Sequence, residues 1–140
     1  MSQILQPTAM SLTDNVVAVT VPADGGWLGV LRTATAGLAA RLRFAGDKIE
    51  DLRIAVDEAC AMLLGIAPPG AQLHCRFEIG ATELTVAISA PVNGKKKLPG
   101  DSAFAWKVLS GLTSRVDAEQ ADGVATIRLV TELPQQPAAA

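Results

Sequence analysis

The sequence predicts a two-layer α/β (α+β) sandwich, with three helices on one face of a mainly antiparallel sheet. Three observations carry that expectation. Apolar residues recur at helical spacing through residues 47–64, and the period switches to two after Pro68-Pro69. The 140 residues are 49% hydrophobic and 19% charged, enough for one core and unlike a disordered chain. A single domain over residues 15–132 follows, with residues 1–14 and 133–140 expected as mobile tails.

Residues 15–21 are short and β-branched, a strand closed by Pro22. Asp24-Gly25-Gly26 opens an amphipathic helix whose buried stripe is Trp27, Val30, Leu31, Ala34, Leu38 and Leu42. Arg32 lies about 140° from Trp27 on that wheel and is expected to project from the core. The second helix, residues 47–64, buries Ile49, Leu52, Val56, Ala59, Cys60 and Leu63. Asp47 with Glu50 reads as a variant of the capping box, and Gly65 with Pro68-Pro69 stops the helix. Glu58 points about 140° from the centre of its apolar stripe, with Met62 one turn beyond.

Beyond the prolines, Leu73, Cys75, Phe77 and Ile79 alternate with Gln72, His74, Arg76 and Glu78, a strand with one wet face. Residues 82–91 repeat the pattern with Leu84, Val86 and Ile88, after a tight connection at Gly80-Ala81. Residues 93–100 are a loop by composition. Asp101 or Ser102 is expected to cap a third helix bearing Phe104, Val108, Leu109 and Leu112. Asp122-Gly123 turns the chain into a last strand over residues 124–132, with Ile127 and Leu129 inward. The expected order is strand, helix, helix, strand, strand, helix, strand.

A net charge of −2 offers nothing to a phosphate backbone, so direct nucleic-acid binding is not expected. No stretch reaches the ~18 apolar residues of a membrane helix, and residues 1–10 carry no secretion signal. Cys60 and Cys75 lack metal-ligand spacing; they read as buried free thiols of a reduced, cytoplasmic protein with no metal. His74 sits on a wet strand face and is assigned no chemistry.

The stretch Ile49-Glu-Asp-Leu-Arg-Ile-Ala-Val-Asp-Glu-Ala-Cys60 resembles the catalytic helix of the histidine-kinase-like ATPase (Bergerat) fold. More narrowly, it resembles the small bacterial anti-sigma factors that double as serine protein kinases, of the sigma-B and sporulation type. That resemblance covers residues 15–132 and places Glu58 on the catalytic base. The magnesium-ligating Asn falls on Met62, a thioether with no hard oxygen for magnesium. The adenine-reading Asp falls on Ala90 and one family glycine on Val92; Gly94 fits its glycine. The phosphate-loop glycines fall near Ala103 and Ala105, where a Cβ crowds a phosphate oxygen, and the family's Gly-Thr becomes Gly123-Val124. The ATP lid is shortened, and Phe104-Ala-Trp106 is similar to a segment of actinobacterial members that depart from the kinase pattern likewise. Each such contact is worth ~1.5–3 kcal/mol, so losing several together weakens ATP binding by orders of magnitude.

Bland readings stand beside these. Glu58 is either a solvated helix carboxylate or a vestigial catalytic position, Met62 is ordinary filler, and Lys95-Lys-Lys97 is a solvated loop rather than a phosphate clamp. The resemblance implies a homodimeric pseudokinase that sequesters an RNA polymerase sigma factor in transcription control and stress response, with an anti-anti-sigma protein competing. It implies no cofactor on this reading. On the family pattern of an Arg followed six residues later by a large apolar residue, Arg32 with Leu38 is the sigma contact. The alternative is an active serine protein kinase using ATP and magnesium, and a third reading is an orphan structural or sensory module.

Overall fold

In the computed structural model, which describes residues 15–135, the chain forms five strands and three α-helices. Strand β1 (Val16–Pro22) leads through a 3-10 turn (Gly25–Trp27) into α1 (Leu28–Arg41) and α2 (Gly46–Leu64). Then come β2 (Gln72–Ile79), β3 (Glu83–Pro91), α3 (Phe104–Leu112), β4 (Arg115–Ala121) and β5 (Val124–Glu132). The sheet order is β1-β2-β3-β5-β4, and every pairing is antiparallel. The helices cover one face, giving the expected two-layer sandwich.

Period-two alternation builds the core face. Phe77, Val86 and Leu129 are paired across three strands, as are Cys75, Ile88 and Ile127, and none of the six is more than 1% exposed. Fully burying each of the larger apolar side chains stabilises by about 1.5–3 kcal/mol. From the helix layer, α2 contributes Leu52, Val56, Ala59, Cys60 and Leu63, all at most 2% exposed. The opposite sheet face stays wet, with His74 and Arg76 exposed on β2 and the Thr20 hydroxyl 3.1 Å from His74 Nδ1.

Several expectations need correction. The strand β4 was not foreseen, because Arg115-Val-Asp-Ala-Glu-Gln-Ala121 lies at a sheet edge with only Val116 half-buried, so no apolar alternation marks it. Asp122 and Gly123, with φ of 56° and 78°, make the two-residue turn of a β4–β5 hairpin rather than a lone entry to the last strand. Asp47 is not a cap: α2 begins a residue earlier, Ala45 is the N-cap without a side-chain bond, and Glu50 instead accepts from Arg53. Likewise Ala103, not Asp101 or Ser102, precedes α3.

Trp27 and Val30 are 49% and 45% exposed, not buried. Trp27 belongs to the 3-10 turn, so its phase differs from that of α1. The buried line of α1 is Leu31, Thr35 and Ala39, with Thr35 Oγ1 donating to the Leu31 carbonyl at 2.7 Å. Phe104, expected inward, is 76% exposed at the start of α3. The expectation of mobile tails falls, for residues 1–14 and 136–140, outside the described residues. Leu133 is not free, however: its amide donates to the Thr82 carbonyl at 2.9 Å.

Candidate functional site

Helix α2 packs against α1 and against α3, and consecutive residues on it serve different flanks. Arg32 Nε on α1 lies 3.1 and 2.9 Å from the two carboxylate oxygens of Asp57, which identifies the flank facing α1. Both groups are a little over one-third exposed. Arg32 projects from the core, its guanidinium reaching solvent while its Nε is committed to Asp57. Glu58 is the next residue, about 100° further round the helix, half-buried and without a side-chain hydrogen bond among the described residues. Arg32 and Glu58 are thus separate sites rather than one cluster.

On Glu58's side the positions carried from the family are filled by packing. Met62 is 8% exposed and belongs to the hydrophobic core. Ala90 is 1% exposed and is paired with Ala125, so its methyl is part of the sheet's inner layer. Gly94 has a φ of 64°, a left-handed turn conformation that favours glycine. Ala103 is the α3 N-cap, and Ala105 packs half-buried against the core.

The loop from Val92 to Ala103 is fastened throughout. Val92 N donates to the Gly123 carbonyl at 2.9 Å and Asn93 N to that of Ile66 at 2.6 Å. The Gln120 side-chain amide accepts from Leu98 N at 3.1 Å and donates to the Lys96 carbonyl at 2.7 Å. Trp106 Nε1 donates to the Pro99 carbonyl at 3.0 Å. Sequence reasoning missed both Asp57 and Gln120. No spacing rule connects residues 25 apart on two helices, whereas the Asp122-Gly123 dipeptide was a hairpin signal that could have found β4 and hence Gln120.

Burial pushes the Cys60 and Cys75 thiols up to about 12, with the carboxylate of Asp57 adding to the effect at Cys60. Both are free and buried, as expected. Among the described residues no group of three or more His, Cys, Asp and Glu side chains could hold a metal ion, and no helix is long and apolar enough to cross a membrane.

No family model matches the chain. Over 126 residues, 77% of this chain and 78% of the relative, it is 25% identical to the serine-protein kinase RsbW of Halalkalibacterium halodurans. The chain is similar to the RsbW serine-protein kinases. RsbW of Bacillus velezensis is 39% identical over 51 residues, and that of Bacillus subtilis 43% over 44 residues. Those two matches cover 32% and 28% of the relatives' own length, about a third or less. The fold agrees with the crystal structure of the RsbU and RsbW domains of a Mycobacterium tuberculosis protein. There the TM-score is 0.61 at 15% identity, over 86% of this chain and 33% of that one. The expected anti-sigma and kinase resemblance is thereby supported at the level of the RsbW type.

Proposed function

We propose that this RsbW-type chain is an anti-sigma factor that sequesters an RNA polymerase sigma factor in the cytoplasm without phosphoryl transfer. The single observation that carries this is the pairing of an RsbW-like fold with a core that occupies the nucleotide positions. On the family resemblance Met62 and Ala90 fall on the magnesium ligand and the adenine-reading carboxylate, and both are buried among apolar neighbours. A thioether and a methyl offer neither a hard oxygen nor a hydrogen-bond acceptor for the adenine amino group. The residues present do not fit Mg-ATP, and no step of the function is routed through it.

In this reading α1 carries the sigma contact through Arg32, an anti-anti-sigma protein competes for the same surface, and the protein acts as a homodimer in a stress response. A planar guanidinium suits a partner carboxylate, and interface arginines are frequent energetic anchors. Glu58 keeps the base position without a reaction to catalyse. The test is a pull-down from native cytoplasm followed by titration of the purified pair. Co-elution of a sigma factor whose affinity is unchanged by added Mg-ATP supports the proposal, and a capture set with no sigma factor overturns it.

One observation favours a second reading. The relatives are serine-protein kinases by name, and Glu58 is retained half-buried. Phosphate transfer from ATP to a serine of a co-purified anti-anti-sigma protein, abolished by Glu58→Gln, would establish the kinase instead.

A further inference from the structure

Helices α1 and α2 pack side by side, and a cleft of about 340 Å³ lies between them, lined by Gly29, Arg32, Thr33, Ala36 and Arg53. Gly29, Thr33 and Ala36 stand at i, i+4 and i+7, so they share one face of α1 and make a floor of small side chains. Arg32 and Arg53 are the only charged residues in the lining. Their protein partners, Asp57 and Glu50, lie outside it. Arg32 spends only Nε on Asp57. An ideal Cβ placed on Gly29 would come within 3.9 Å of its Nη1, which therefore lies over the floor. Arg53 spends only Nη1, in an exposed i,i+3 pair with Glu50. Such surface pairs hold weakly and exchange readily for another carboxylate.

We infer that this cleft receives an Asp or Glu side chain of the protein partner between Arg32 and Arg53, which makes Arg53 a second determinant of the partner surface. The inference rests on the reading above, in which α1 carries the sigma contact. Asp57 and Glu50 balance the two cations from outside the lining but leave most of the guanidinium donors without acceptors among the described residues. The terminal edge of a guanidinium presents two parallel N–H donors that match the two oxygens of one carboxylate. With Nε fixed on Asp57, Arg32 is already oriented, so little freedom is lost when that carboxylate arrives. A lining whose only charges are positive favours an acidic side chain over a neutral or basic one, and the low floor leaves room for it.

Thr33 is exposed, so Thr33→Glu sets a carboxylate of the chain's own at the cleft without disturbing the core, and Thr33→Gln is its neutral counterpart of equal size. Both, together with Arg53→Ala, are titrated against the co-purified sigma factor, with melting temperatures alongside. Expected are losses of about thirtyfold for Thr33→Glu, less than about threefold for Thr33→Gln and about tenfold for Arg53→Ala, all melting near the wild type. Changing one partner Asp or Glu to Lys should restore about tenfold of the affinity lost in Thr33→Glu. Equal losses in the Glu and Gln variants, a silent Arg53→Ala, or no restoring partner position each overturns the inference, while Arg32→Ala still reports on the sigma contact by itself. Affinity that falls when the partner is treated with phosphatase makes a phosphate the occupant, and a loss confined to self-association makes it a second copy; either overturns the inference. A wild-type chain that binds no sigma factor overturns both readings together.

Discussion

Arg32 on α1 bonds both carboxylate oxygens of Asp57 on α2 through a single nitrogen, Nε, so its terminal amino groups take no part in that pair. The pair fixes the direction of the guanidinium and leaves its outer edge toward solvent. Because both groups are over one-third exposed, the pair itself contributes ~1 kcal/mol or less to stability. Arg32→Ala should therefore lower the melting temperature only slightly while weakening sigma binding by ~2 kcal/mol, about thirtyfold. Glu58→Ala should leave that affinity intact. One titration series with wild type and both variants decides it; loss of binding in Glu58→Ala alone would place the function on the other flank of α2.

Mg-ATP should not bind at millimolar concentration. Calorimetric titration with and without magnesium measures this, and a dissociation constant in the low micromolar range would restore the kinase reading.

Met62→Asn restores the family's magnesium ligand type but places an amide in the apolar core, where Met62 is 8% exposed. The variant should lose about 1–3 kcal/mol through an unsatisfied buried amide, plus whatever packing the shorter side chain forfeits. It should gain no ATP binding, since Ala90 and the fastened loop remain. Urea denaturation with parallel nucleotide titration reads both effects.

The native thiols should resist alkylation at neutral pH and react fully once the chain is unfolded. Burial raises both from 9.0 to about 12, so the folded protein holds these protons more tightly than the unfolded chain. Their contribution to stability is fully present below pH 9 and is lost as pH rises from there toward 12. Replacing Cys60 and Cys75 by Ala should flatten that alkaline decline in denaturation midpoints measured from pH 8 upward. An equally steep decline in the double variant would assign it to other groups.

A homodimer is expected at micromolar concentration, through α1 or a strand edge. Sedimentation equilibrium giving a single 14.5 kDa species across that range would refute it.

Much of the fold was legible because burial imposes a period. The buried line of α2 and the alternations of β2, β3 and β5 stand in the sequence, since a residue displaced by one position would face water. What burial does not police was not legible. Strand β4 is almost wholly exposed, so its residues were free to be charged and carry no strand signal. Trp27 and Phe104 are large and apolar yet lie at helix starts, where the wheel's phase is not yet set by the core. At the candidate site, Met62 and Ala90 could be found from a motif, whereas Asp57 and Gln120 act through contacts across space. No one-dimensional rule places Asp57 against Arg32, 25 residues away.

Asp57 and Glu58 are chain neighbours that serve different flanks of one helix. A one-residue insertion or deletion between Gly46 and Asp57 would turn everything beyond it by about 100°, bringing a different side chain opposite Arg32 and driving part of the buried line into water. Substitution, by contrast, leaves the phase untouched. The helix should therefore tolerate drift in composition on its Glu58 side while its length stays fixed.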